Sequence, residues 1–175
     1  AHKLPETAQQ MLGVTLAAEE IRNLILQLKE ERYLLAAEML EDSTGPLLRK
    51  LAQPREEAEP VEACLRLLTA PARTLPIIQR QIGSVLSPLG SCQLNTVLDA
   101  VRLFTSPQTD MIFYTAEDVS TGGAMLCAAA DDITQRMKKI LWQPDQAFVL
   151  TSGTMAVGSD FRRFKTQAGL EKGHR

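Results

Sequence analysis

A hydroxyl-rich turn follows an apolar segment near the carboxyl end of the chain. Residues 147–151 have the composition of a short buried strand, and Thr151, Ser152, Gly153 and Thr154 form the turn that follows. Each hydroxyl in it can both donate and accept a hydrogen bond, so the turn could hold a polar partner from elsewhere in the molecule. The same hydroxyls also suit a local role, in which they satisfy the strand end and cap the next helix. Residue type alone leaves both interpretations open.

Three cationic residues, Arg162, Arg163 and Lys165, come shortly after this turn. Cations in such a cluster can contact DNA phosphates, where binding is driven by counterion release. The alternative is a solvated helix face. The chain has a formal net charge of -2, so any contact with nucleic acid must come from a local patch of this kind.

The sequence predicts no metal site and no nucleotide cradle in this chain. Cys64, Cys92 and Cys127 lie far apart, without a CxxC or Cys/His cluster, and are interpreted as reduced thiols suited to the cytoplasm. No GxxxxGK[ST] phosphate loop is present. The acidic cluster at residues 56–59 is interpreted as a solvated loop. No apolar run approaches the roughly 20 residues of a membrane span, so no membrane association is expected.

The elements that position these residues are mostly helical in the first two thirds of the chain. Apolar residues recur at helical spacing over residues 17–42, and Gly45-Pro46 is predicted to stop that helix. Further helices are predicted over residues 47–53, 61–70, 75–86 and 91–104, with Pro71 ending the second of these four and Pro107 marking the end of the last.

The pattern changes after residue 106. Residues 111–115 are typical of a strand, Gly122-Gly123 indicates a turn, and residues 125–127 are predicted to be the returning strand. An amphipathic helix over residues 131–142, the strand at 147–151 and a final helix over 159–168 complete the prediction.

The segment FVLTSGTMAVGSDFRRFKTQAGL, residues 148–170, resembles the third helicase motif of the DinG-type and XPD-like branch of superfamily 2. In that family a hydrophobic strand leads into Thr-Ser-Ala-Thr-Leu, followed by a Phe-x-x-Phe helix and Gly-Leu. Here Gly153 stands where the family usually has Ala, which loosens the backbone. The opening residues AHKLPETA are similar to the end of an Asp-Glu-Ala-His box and the stretch after it. The resemblance thus spans an internal piece of a helicase, from the end of that box to past the third motif.

The resemblance implies a function for the longer protein, namely ATP-driven 5′-to-3′ unwinding of DNA in repair or replication. It implies ATP and Mg as cofactors and DNA as the partner, and it allows an iron–sulfur cluster in the longer protein but not in this piece. The metal-binding Asp-Glu pair would precede Ala1, so the piece alone is expected to be inactive. The resemblance also gives His2 and the turn from Thr151 to Thr154 a role in coupling ATP hydrolysis to DNA movement.

The expected fold is mainly α, with a helical arch-like insertion and a small α/β remnant of a RecA-like motor domain. Residues 1–14 would close the box and continue the motor domain, residues 15–106 would form the insertion, and residues 107–175 would return to the motor domain with the third motif. Two alternatives stay open. One is a non-enzymatic α-helical protein-interaction module, and the other is a DinG-like protein with a fused nuclease domain.

Overall fold

The computed structural model describes residues 13–53, 61–106, 111–118, 120–131, 162, 165 and 166. The chain divides into two compact units. The larger comprises residues 14–109 and 113–128, and the smaller comprises residues 1–13, 110–112 and 129–175. The described part is mostly helical with one small sheet, which confirms the mainly α prediction at that level.

Eight elements are described. They are β1 (Val14–Ala17), α1 (Ala18–Glu30), α2 (Leu34–Leu51), α3 (Val61–Leu67), α4 (Thr69–Ile82), α5 (Pro88–Thr105), β2 (Met111–Glu117) and β3 (Ala124–Ala130). Helices α1, α2, α4 and α5 each pack against two of the other three, in the cyclic order α1–α2–α4–α5. The end of α1 bonds the start of α5 through Glu31 and Ser87, and the start of α2 bonds the loop after α4 through Tyr33 and Val85. The four helices therefore form an up-down-up-down bundle, and we call the end with these contacts the tip and the opposite end the base.

The bundle core is built from leucine and isoleucine at helical spacing. In α1 the buried positions recur every three or four residues, which gives the helix one apolar face. Glu20 accepts a hydrogen bond from the Ala17 amide (2.8 Å) and so fixes the start of α1. The largest fully buried side chains of the larger unit are Leu16, Ile21, Leu24, Leu28, Leu40, Leu47, Leu51, Leu68, Leu75, Ile78, Leu94 and Leu126.

The predicted single helix over residues 17–42 is wrong, because the chain turns at Arg32. The Tyr33 amide bonds the Leu28 carbonyl (2.8 Å), and the Arg32 amide bonds the Lys29 carbonyl (3.0 Å). This pair of bonds is a Schellman motif, which terminates a helix through one residue in the left-handed region. Arg32 occupies that position with φ of 67°, where glycine is the usual residue. Because arginine and not glycine stands at this position, the sequence carries no signal for the end of the helix.

The predicted stop at Gly45-Pro46 is also wrong, since α2 continues through both residues to Leu51. Proline removes the hydrogen bond to the carbonyl four residues earlier, which here belongs to Asp42. Both Asp42 and Pro46 are exposed, so water can satisfy that carbonyl. The helix tolerates the proline because the lost bond lies on its solvent side.

Proline positions also shifted the predicted bounds of the next helices. Pro71 lies in the first turn of α4, where its missing amide hydrogen costs no intrahelical bond. Pro71 has no amide hydrogen to donate to the Leu67 carbonyl, which explains why α3 ends at Leu67. Helix α4 therefore starts six residues before the predicted position at 75, and Pro76 lies inside it.

Helix α5 begins three residues before the predicted start at residue 91, and Ser87 caps it. The Ser87 hydroxyl accepts a hydrogen bond from the Gly90 amide (3.1 Å), and Pro88 occupies the first helical position. The predicted end near Phe104 is confirmed, since α5 ends at Thr105.

A three-stranded antiparallel sheet covers the base of the bundle, with the order β1-β3-β2. Leu16 of β1 and Leu126 of β3 are register partners, and both are buried. Phe113 of β2 contacts Phe104 of α5, with ring centroids 5.5 Å apart. The predicted strands at 111–115 and 125–127 and the turn at Gly122-Gly123 are confirmed, although both strands are longer than predicted.

Candidate functional site

The chain enters and leaves the larger unit at the same place. Val14 is the first residue of the unit and Ala128 the last, and the two are register partners in the antiparallel β1–β3 pair. Apart from residues 110–112, which belong to the smaller unit, the larger unit is one continuous segment of the chain between these two strands. A domain whose first and last residues are neighbours can be inserted into another domain without separating the elements of the host domain.

Asp118 organises the turn between β2 and β3. Its carboxylate accepts hydrogen bonds from the Ser120 hydroxyl (2.6 Å), the Ser120 amide (3.0 Å) and the Thr121 hydroxyl (2.8 Å). These bonds, led by the one from the Ser120 hydroxyl, hold the pKa of Asp118 below its usual range. A carboxylate that is ionised and occupied by local donors is a structural group, so Asp118 is no candidate general base.

The same turn lies against the end of α2. Gly122 has φ of 69°, in the region that favours glycine, and nothing lies within 4 Å of the position of an added Cβ. At Gly123 an added Cβ would stand 2.5 Å from the Leu51 carbonyl oxygen. Gly123 therefore permits close approach of the hairpin turn to the α2 backbone, and Gly122 permits the turn itself.

Tyr114 of β2 and Cys127 of β3 interact on the face of the sheet opposite to Phe113. Burial raises the pKa of the Cys127 thiol, and burial together with the nearby thiol raises the pKa of Tyr114. Both groups therefore keep their protons at neutral pH. A protonated, buried thiol is a poor nucleophile and a poor metal ligand, which agrees with the interpretation of Cys127 as a small buried hydrophobe.

At the tip, a carboxylate joins two helices. Glu31 accepts hydrogen bonds from the Ser87 hydroxyl (2.6 Å), the Ser87 amide (2.9 Å) and the Gln27 side-chain amide (2.8 Å). These donors, the Ser87 hydroxyl first, hold the pKa of Glu31 below its usual range. The carboxylate also lies at the positive end of α5. An added Cβ at Gly90 would stand 2.5 Å from Glu31 Oε1, so glycine leaves room for this contact.

A cleft with a volume of about 390 Å³ lies between α1 and α2. Its walls combine apolar side chains with an ion pair between Lys29 Nζ and Glu41 Oε1 (2.6 Å). The lining residues are Arg22, Ile25, Leu26, Lys29, Glu41 and Leu48. These residues include no nucleophile beside a general base, so the cleft offers no arrangement for catalysis.

Most residues predicted to act in function lie outside the part of the chain that the structure describes. His2, Thr151, Ser152, Gly153, Thr154 and Arg163 are among them. Arg162 and Lys165 are described, and both are helical, Arg162 exposed and Lys165 half-buried. The contact expected between His2 and the turn from Thr151 to Thr154 stays a prediction.

Two further kinds of feature, a metal-binding cluster and a membrane-spanning helix, are absent from the described residues. Within residues 13–53, 61–106, 111–118 and 120–131, no three His, Cys, Asp or Glu side chains cluster in a way that could hold a metal ion. None of the helices in those same ranges has the length and apolar character needed to cross a membrane. Comparisons with protein-family models, with curated proteins and with solved structures each found no match to this chain.

Sequence reasoning missed two structural carboxylates, Glu31 at the tip of the bundle and Asp118 in the turn between β2 and β3. Asp118 carries a local signal, because Asp-x-Ser-Thr-Gly-Gly places hydroxyl donors two and three residues after the carboxylate. Glu31 carries no such signal, since its partner Ser87 is 56 residues away and only the packing of α1 against α5 brings them together.

Proposed function

We propose that this chain is an internal portion of a DinG-type, XPD-like ATP-dependent DNA helicase, in which the larger unit is inserted into the first motor domain. The observation that carries the proposal is the likeness of residues 148–170 to the third helicase motif, preceded at the right distance by a segment similar to the end of an Asp-Glu-Ala-His box. The segment between these two stretches is the interval in which that family holds its helical arch.

The pairing of Val14 with Ala128 supports this proposal. A domain inserted into a motor must start and finish at neighbouring points, because otherwise it would force apart the elements that it interrupts. Register partners in an antiparallel strand pair meet this requirement. The strand expected at residues 147–151 would then belong to the α/β part of the motor domain.

Within the longer protein, ATP and Mg would supply the phosphoryl-transfer chemistry in a cradle outside these 175 residues, which contain no GxxxxGK[ST] loop. We assign coupling roles to His2 and to the turn formed by Thr151, Ser152, Gly153 and Thr154. The hydroxyls of that turn would bond His2 and relay the nucleotide state to the DNA-binding surface. The same proposal includes a cytoplasmic location, and it allows an iron–sulfur cluster elsewhere in the longer protein without requiring one.

Arg162, Arg163 and Lys165 would contact DNA phosphates next to the coupling turn. Arg162 is exposed, as a phosphate contact requires. Each phosphate contact releases condensed counterions, so these residues would contribute to the salt dependence of DNA binding.

The test is the Ser152→Ala variant of the full-length protein encoded by the gene. Unwinding of a duplex with a 5′ single-stranded tail should fall more than DNA-stimulated ATP turnover, because the hydroxyl couples the two activities. Thr166→Ala is the matched control, since Thr166 is an exposed hydroxyl in the following helix and has no assigned role. Equal losses of both activities in Ser152→Ala would reject the coupling role, and a full-length protein without ATP turnover would reject the helicase itself.

The second candidate is a non-enzymatic α-helical interaction module. Apolar side chains at the tip favour it, because they are exposed in an otherwise well-packed bundle. The exposed fractions are 63% for Leu34, 78% for Leu35, 62% for Val85 and 57% for Leu89. ATP turnover by the full-length protein discriminates between the two candidates, since the module would have none.

A further inference from the structure

Apart from Glu62, every charged residue of α3 and α4 is an arginine. Residues 63–98 contain no Asp, Glu, Lys, Phe, Tyr or Trp, and their charged residues are Arg66, Arg73 and Arg80. All three are exposed. Among the ion pairs between described residues, none involves these three side chains. A chain with more acidic than basic residues thus has a stretch of 36 residues from which acidic side chains are absent.

The three arginines are seven residues apart. Seven residues are close to two helical turns, so Arg73 and Arg80 lie on the same face of α4, about 10.5 Å apart along its axis. Between α3 and α4, Leu68 keeps a right-handed helical conformation, with φ of -73° and ψ of -12°. The Ala72 amide bonds the Leu68 carbonyl (2.9 Å), which continues the helical path. Arg66 therefore extends the row by a further two turns.

Apolar side chains alternate with the arginines. Ala70 lies between Arg66 and Arg73 and is exposed, and Ile77 lies between Arg73 and Arg80 with an exposed fraction of 42%. We call Arg66, Ala70, Arg73, Ile77 and Arg80 the arginine row. Its pattern of charge and apolar contact every three or four residues matches one face of a second helix.

We infer that the arginine row binds an acidic amphipathic helix of a partner protein. Asp or Glu residues seven apart on that helix would meet the three guanidinium groups, which pair with carboxylates through two parallel hydrogen bonds. Apolar residues between the carboxylates would cover Ile77 and Ala70. The inference goes beyond helicase activity, because it concerns the outer surface of the bundle alone.

The composition of the row favours a protein over nucleic acid. Protein interfaces are enriched in arginine and depleted in lysine, and arginine is the only cation of residues 63–98. A surface that binds single strands normally stacks bases on aromatic side chains, and residues 63–98 have none. The apolar contact at Ile77 would gain nothing from a phosphate backbone, whereas an apolar side chain of a helix would bury it.

The test measures binding of a fluorescent peptide to the whole 175-residue chain by anisotropy. The peptide is a synthetic helix of three heptads with glutamates seven residues apart and leucines between them, and a second peptide has the same composition in scrambled order. The triple variant Arg66→Gln/Arg73→Gln/Arg80→Gln should weaken binding about 30-fold, from roughly threefold for each exposed ion pair. Ile77→Ser should also weaken binding, because the apolar contact is lost.

The matched control is Arg22→Gln/Arg49→Gln/Arg102→Gln, which removes the same charge from exposed positions outside the row. It should bind the peptide nearly as well as the unaltered chain. Equal weakening in both triple variants, or equal binding of the scrambled peptide, would overturn the inference, as would absence of binding to the ordered peptide. Displacement of the peptide by a single-stranded oligonucleotide that requires the same three arginines would assign the row to nucleic acid instead.

Discussion

Glu31 and Ser87 are joined by two hydrogen bonds to one carboxylate, although the residues are 56 positions apart in the chain. The contact ties the end of α1 to the start of α5 and places a negative charge where the α5 amides point. It is thus both a cap for α5 and a link between two helices of the bundle.

The first prediction concerns acid stability. The Glu31 pKa is lowered in the folded chain, so its charge stabilises the fold above the unfolded value of about 4.3, and this contribution is lost as the pH falls through the lower folded value. Glu31→Gln should therefore be less stable than the unaltered chain at pH 7, with the difference shrinking in acid. Urea unfolding followed by circular dichroism over a pH series measures this. A difference that stays constant from neutral pH to strong acid would show that the charge of Glu31 contributes nothing.

The second prediction compares two helical glycines. Gly45→Ala should stabilise the chain by roughly 0.5–1 kcal/mol, because alanine is the better helix former and its Cβ would meet Arg49 Nη1 at an ordinary 3.6 Å. Gly90→Ala should have the opposite sign, because its Cβ would displace the Glu31 carboxylate. In a Glu31→Ala background the Gly90→Ala change should become stabilising. Denaturant midpoints of the four variants test this, and a stabilising Gly90→Ala in the unaltered background would contradict it.

The third prediction concerns Arg32, which takes a left-handed conformation at the end of α1. Arg32→Gly should raise the free energy of unfolding by up to about 1 kcal/mol, since relief of the left-handed penalty is partly offset by the greater freedom of glycine in the unfolded chain. Arg32→Val should lower it by about 1–2 kcal/mol, because a β-branched residue tolerates this conformation poorly. Guanidinium unfolding measures both. Similar stability of the two variants would mean that the turn rearranges around residue 32.

The fourth prediction separates the two glycines of the hairpin turn. Asparagine tolerates the left-handed region, so Gly122→Asn should change stability by less than about 1 kcal/mol. Gly123→Asn should destabilise by roughly 1–3 kcal/mol, because its Cβ would meet the Leu51 carbonyl oxygen, which belongs to the backbone and cannot rotate away. Thermal unfolding of both variants gives the comparison. Equal effects at the two positions would argue that the turn does not lie against α2.

Sequence patterns predicted the high helical content and the hairpin. They succeeded where the signal is local, as in the buried spacing of Ile21, Leu24 and Leu28 or the Gly122-Gly123 turn. They failed where a residue departs from its statistical preference. Arg32 takes the position of a helix-ending glycine, and Pro46 lies inside a helix because its exposed side can lose a hydrogen bond.

Contacts between residues far apart in the chain, and the arginine row, were less accessible to the same reasoning. The Glu31–Ser87 contact depends on how α1 packs against α5, which no short-range pattern encodes. The sequence alone does not align the arginine row, because Arg66 and Arg80 were predicted to lie in two separate helices, 61–70 and 75–86, and Arg73 in the break between them. Only the observed continuation of the helical path through Leu68 aligns them.

The pairing of Val14 with Ala128 has a mechanical consequence. A force that pulls Val14 and Ala128 apart acts perpendicular to the β1–β3 pair. It therefore breaks the hydrogen bonds between the two strands one pair at a time. Opening in this direction resists far less than sliding the strands past each other, where all bonds would have to fail together. The strand pair would therefore yield before the helical core, and the bundle would stay intact while its attachment lengthens.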